Sequence, residues 1–270
     1  MPDNGMSFAY ATAAVPGDSL TEKCALIAST GCKGFEPLIF ADSKFETWQN
    51  EIRIAASNHD LKPVVVVLGN LALYRPGEMS WVREALQAIA ELGAAALLTP
   101  EYRAQDPIPL FPPHPMPSRD EQRQVTQSLN EVSQIASSLK MDILFEPVNE
   151  YMSRFWHRVD IPLSICKQIN KPNIGLALDF NIMNVTESSI PASIQTAGKW
   201  VRHVHLADNN RRLPGQGHIE FPSGINALEK INYSGWFSFE SVASCEERFE
   251  EETKEAIQYI ERLWLHKMED

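Results

Sequence analysis

Eight short β-branched runs alternate with eight longer amphipathic ones along this chain, and no other feature limits its fold as tightly. The strand-like runs fall at 7–11, 34–39, 63–68, 94–99, 142–147, 174–179, 203–207 and 236–241. Between and after them, helical spacing predicts helices over 19–30, 45–59, 80–92, 120–139, 162–169, 191–200, 223–231 and 246–266. Runs such as PVVVVLG (63–69) are apolar on both faces, which suits parallel strands covered by helices. Punctuation agrees: Asp18-Ser19 and Ser118-Arg119-Asp120 offer N-caps, and Gly31 and Gly93 follow helices where a left-handed residue is wanted. Eight β/α units without a linker or composition break predict one (β/α)8 barrel domain over residues 1–270. A doubly wound sheet would carry a Gly-rich phosphate loop after an early strand, and the sequence has none.

Composition narrows the partners. With 44% hydrophobic and 22% charged residues the chain can bury a large core, and its formal charge of −11 disfavours nucleic acid or an anionic membrane. No apolar run approaches the roughly 20 residues of a membrane helix, and the N-terminus does not read as a secretory leader, so a cytoplasmic location is expected. Cys24, Cys32, Cys166 and Cys245 show neither paired nor zinc-knuckle spacing and read as unpaired thiols in a reducing compartment. The stretch QDPIPLFPPHPMPSRD (105–120), with six prolines after the fourth strand, reads either as a stiff surface loop or as a lid over a barrel mouth.

Barrel enzymes keep their chemistry at the C-terminal ends of the strands. Strands five to eight end as DILFEPVN, IGLALDFN, HVHLAD and WFSFES, delivering Glu146, Asp179, His205 and Glu240. Strand alternation turns Phe145, Leu178, Leu206 and Phe239 toward the helices and these four side chains toward the barrel axis. Three carboxylates held together repel and lose hydration, so a bound cation is the natural compensation. An oxygen-rich set with one nitrogen suits Mn²⁺, Mg²⁺ or Co²⁺ better than structural Zn²⁺. Glu36 and Glu101 end strands two and four, where each either reaches the pocket or makes a salt bridge at its rim. His203 shares the inward face with His205 and reads as its support. The acidic terminal helix, with Ala256, Ile257, Ile260, Leu263 and Trp264 at helical spacing, reads as barrel packing.

EPVN (146–149), LALDF (176–180), HVHLADNNRRLPGQG (203–217) and GWFSFE (235–240) together resemble the xylose isomerase-like barrel family, most of all its ketose 3-epimerase branch (D-tagatose and D-psicose 3-epimerases). The resemblance covers essentially the whole chain. It implies that Glu146, Asp179, His205 and Glu240 are metal ligands, with Mn²⁺ the foremost metal. It also implies that Glu146 and Glu240 form an acid/base pair and that Arg211 holds a substrate oxygen. The implied activity is isomerisation or epimerisation of a sugar through a cis-enediolate, in a homo-oligomeric protein. Two positions depart from the branch. A second glutamate six residues after the first ligand is Met152 here, and a histidine three residues after the aspartate is Ile182. Both family residues contact substrate hydroxyls, so the substrate pocket is expected to differ, with Glu150, Arg154, Trp156 and His157 of NEYMSRFWHR (149–158) as replacement contacts. A lyase or dehydratase acting on an oxidised sugar or inositol (inosose dehydratase-like) uses similar ligands and stays open, as does a non-catalytic sugar-binding barrel. Barrels of the endonuclease IV type need histidines on earlier strands, and GFEPLIF and VVVVLGN supply none.

Overall fold

The structure, a computed structural model, describes residues 6–41, 44–69, 71–75, 77–101, 111 and 115–265. Its strands are β1 (Ser7–Ala11), β2 (Gly34–Glu36), β3 (Leu38–Phe40), β4 (Lys62–Pro63), β5 (Val65–Gly69), β6 (Ala95–Leu98), β7 (Ile143–Phe145), β8 (Ile174–Asp179), β9 (Val201–Leu206) and β10 (Trp236–Phe239). All pair in parallel, in the order β3-β5-β6-β7-β8-β9-β10-β1-β2-β4. Two of the predicted strands are each split by one residue. Pro37, which has no N–H to give a ladder, separates β2 from β3, and Val64 separates β4 from β5. The ladder runs through both breaks: Val64 N donates to Phe35 O at 3.1 Å and Val67 N to Pro37 O at 2.9 Å. Because β2 pairs with β4 and β3 with β5, the two ends of the strand order meet and the ring closes with eight staves.

The helices are α1 (Leu20–Thr30), α2 (Phe45–His59), α3 (Glu78–Glu91), α4 (Arg119–Leu139), α5 (Asp160–Ile169), α6 (Phe180–Thr186), α7 (Ile190–Ala197), α8 (Phe221–Lys230) and α9 (Phe249–Leu265). Ser19 with Glu22, and Ser118 with Glu121, form full capping boxes, which explains why α1 and α4 begin where they do. Gly31 closes α1 at φ 95°, in the left-handed region open to glycine. The segment expected to be one helix over 246–266 begins as a 3-10 turn, Glu246–Arg248, before α9.

Alternation along the staves sorts the apolar residues into two layers. Phe145, Leu176, Leu178, Val204 and Leu206 join the main core under the helices, while Val65, Leu97, Leu144 and Ala177 form a separate small cluster on the inner face. That inner plug floors the barrel and leaves the C-terminal ends of the strands for polar groups. The expected lid at 105–120 lies largely outside the described residues. Cys24, Cys32 and Cys166 are buried and Cys245 is exposed, all four as free thiols. Among the described residues no helix is long and apolar enough to cross a membrane.

Candidate functional site

Strand register sets two of the four expected side chains, Asp179 and His205, opposite each other. His205 lies opposite Asp179 on β8 and Ser238 on β10, so Glu240 stands one step beyond the end of β10. Glu146 follows β7, its N–H donating to Leu98 O at 3.3 Å. One donor atom from each of Glu146, Asp179, His205 and Glu240 lies within 4.8 Å of the others. His205 Nδ1 is 2.9 Å from Glu146 Oε1 and 3.6 Å from Glu240 Oε2. Arg211 Nη1 donates to Asp179 Oδ2 at 2.8 Å and to Glu240 Oε2 at 3.1 Å.

Asp179 has a second task that the sequence reading missed. Its Oδ1 accepts from Asn181 N at 2.7 Å and from Ile182 N at 3.4 Å, which makes it the N-cap of the unexpected helix α6. An aspartate ending a strand just before FNIM is the signal that could have revealed that helix. Burial pushes the Asp179 carboxyl up to about 6; Arg211 opposes this and Glu240 adds to it.

Arg211 reaches the acids from a tightly built loop. It sits at φ 60° and donates its N–H to Asp208 O at 2.9 Å. The fully buried Asp208 carboxylate accepts from the N–H groups of Asn209, Gly215, Gly217 and Ile219, at 2.8 to 3.0 Å. A side chain on residue 217 would meet the Asp208 carboxylate at 2.3 Å, hence the glycine there. Asp208 therefore braces this turn.

Behind the donor set lies a fourth acid. Glu36 Oε2 is 2.9 Å from His205 Nε2, and Glu36 Oε1 is 2.6 Å from His203 Nε2. Burial disfavours charge on Glu36, but the two histidines outweigh it and hold the carboxyl well below the usual carboxylate range. Burial likewise disfavours the His205 imidazolium, yet Glu36 and Glu146 outweigh it and push the pKa well above the ordinary histidine value. Protonated, His205 donates at both nitrogens, to Glu146 and to Glu36. Arg211 and His205 are the basic groups packed against the acids. Three carboxylates and one imidazole in this proximity fit a hard divalent cation.

The acids and Arg211 line a mouth enclosing about 600 Å³, part of it open to solvent. Glu36, Glu146, Asp179, Arg211, Glu240 and Thr99 are its polar lining. Thr99, which was not singled out from sequence, follows Leu97 by two residues and shares its inward parity, and that spacing would have found it. Val148, Met152 and Ile182 form an apolar flank beside β7 and β8, and Leu38, Val67 and Leu68 line the mouth from β3 and β5.

The other expected contacts lie elsewhere. Glu101 is absent from the lining: it is 3% exposed and accepts from Tyr74 Oη at 2.8 Å and from three nitrogens of Arg154 at 3.0 to 3.2 Å. Arg154 also bonds Glu121 at 2.9 Å, tying the loops after β6 and β7 to the start of α4. Trp156 packs against Phe145 in the main core, ring centroids 5.4 Å apart. His157 Nε2 lies 2.8 Å from Ser153 O within its own loop.

Known proteins share this barrel fold. The profile of the xylose isomerase-like TIM barrel family matches residues 24–263. A D-psicose 3-epimerase of Ruminiclostridium cellulolyticum is 32% identical over 109 residues, 40% of this chain and 37% of that protein. The chain spans only about two fifths of the length of this and the next curated relatives, a ketose 3-epimerase and an L-ribulose 3-epimerase. A 3-dehydro-D-guloside 4-epimerase of Escherichia coli is 24% identical over 232 residues, 83% of this chain and 87% of that protein. Among solved structures, a D-allulose 3-epimerase of Methylomonas sp. in complex with D-allulose superimposes with a TM-score of 0.79 at 20% identity, covering 95% of this chain and 96% of that one. With a closed ring of parallel staves and a family profile running through nearly all of it, the chain belongs to the xylose isomerase-like TIM barrel family.

Proposed function

We propose that this chain is a divalent-metal-dependent keto-sugar epimerase or isomerase, working through a cis-enediolate with Glu146 and Glu240 as the acid/base pair. The observation that carries the reading is the placement of the two glutamates. They directly follow β7 and β10, on either flank of Asp179 and His205, and all four lie within one ion's reach. The relatives supply the substrate class, since psicose, ketose, ribulose and guloside epimerases all act on sugars.

Glu146, Asp179, His205 and Glu240 would hold the cation, with Mn²⁺ the first choice and Mg²⁺ or Co²⁺ the alternatives. When bound, a divalent cation supplies electrophilic polarisation of a carbonyl, which acidifies the neighbouring C–H. One glutamate takes the proton from that carbon and the other returns one to the opposite face. Arg211, half-exposed beside Asp179 and Glu240, offers guanidinium N–H groups to the oxygen that gains negative charge. The buried floor of Val65, Leu97, Leu144 and Ala177 limits water below the reacting carbons.

The test is incubation of a panel of ketoses and keto-glycosides in D₂O with Mn²⁺. Carbon-bound deuterium and an inverted carbon are expected. Loss of water from the same substrates would identify a lyase instead, and binding without exchange a non-catalytic barrel.

A further inference from the structure

Glu36 stands behind the donor set and touches the only imidazole in it. It closes β2, three staves round the ring from the β9 of His205, and is 1% exposed. Each of its oxygens meets one histidine: Oε1 is 2.6 Å from His203 Nε2 and Oε2 is 2.9 Å from His205 Nε2. The two rings meet edge to face, centroids 5.0 Å apart at 86°. At the front of the His205 ring, Nδ1 faces Glu146 Oε1 at 2.9 Å and Glu240 Oε2 at 3.6 Å. A half-turn of that ring would break the Glu36 contact and carry Nδ1 away from the acids.

We propose that Glu36 is a positioning residue, which holds the Nε2–H of His205 so that Nδ1 stays aimed at Glu146 and Glu240, with His203 in turn holding Glu36. The inference rests on the reading of Glu146, Asp179, His205 and Glu240 as metal ligands. Its physical basis is general. An imidazole ligand fixed through its second nitrogen by a carboxylate keeps one tautomer and one orientation, and loses metal affinity when that carboxylate goes. The expense of burying a carboxylate is offset here by two imidazole partners, an arrangement that a packing role alone would not need.

The experiment is an Mn²⁺ titration of substrate-free protein, with free Mn²⁺ counted by electron paramagnetic resonance, in wild type, Glu36→Gln and His203→Gln. Glu36→Gln is expected to weaken binding about 10- to 100-fold, with circular dichroism unchanged, and His203→Gln to weaken it less. Binding in folded Glu36→Gln equal to wild type, even with a lowered Tm, would overturn the positioning role and leave the metal site standing. Wild type that binds no divalent cation would overturn the ligand reading and this inference together. Should Glu36→Gln fail to fold, ¹⁵N-histidine NMR of wild type decides, with Zn²⁺ as a diamagnetic probe. The Nε2 proton of His205 should persist while the Nδ1 resonance moves; loss of the Nε2 proton on Zn²⁺ binding would overturn the proposal.

Discussion

At the scale of single residues, the site separates groups that handle a proton from groups that shape a pocket. Glu240→Gln keeps the size and most of the hydrogen bonding of the side chain but can neither take nor return a proton. Deuterium incorporation from D₂O should fall at least about 100-fold while Tm stays near wild type, and full activity would refute the acid/base pair. Met152 tests the pocket. With Val148 and Ile182 it presents no hydrogen-bond donor to a substrate, so a hydroxyl seated there goes unpaired. Wild type is therefore expected to prefer a deoxy analogue over its parent ketose by about 10- to 100-fold in kcat/KM. Met152→Gln should narrow that ratio, as measured by paired exchange assays.

At the scale of elements, the loop from β9 to α8 is a rigid arm, with the Asp208 carboxylate as its hub. Asp208→Ala would leave four N–H groups without their acceptor and release the backbone that carries Arg211. Urea denaturation should show a loss on the order of 2–4 kcal/mol, and the sugar KM should rise because Arg211 no longer holds its place. An unchanged unfolding midpoint would mean that the loop is held elsewhere. The Asp179–α6 junction is the corresponding device on β8. One carboxylate both caps a helix and faces the mouth, so its orientation is fixed before any ligand arrives.

At the scale of the whole molecule, the barrel collects charge that its metal-free state balances with protons and Arg211. Asp179 is raised to about 6 and His205 well above its ordinary value, so both carry protons at mildly acidic pH. A cation must displace those protons, and its affinity therefore rises with pH. The increase in Tm produced by Mn²⁺ should be small near pH 5 and grow toward pH 8, as read by thermal melts across that range. A Tm increment independent of pH would place the cation away from Asp179 and His205.

Periodicity and capping chemistry were enough to specify the eight staves, most of the helices and the four inward-facing ligand candidates. Each depends on local sequence: alternation fixes which side chains face the axis, and parallel register then sets Asp179 and His205 level. The partners of charged groups were not legible, because they depend on which staves the ring brings together. Glu36 and His205 are 169 residues apart yet 2.9 Å in space, and Glu101 is taken up by Arg154 across 53 residues. Closure of the ring decided that Glu36 would meet an imidazole and that Glu101 would pair with Arg154 off the lining of the mouth.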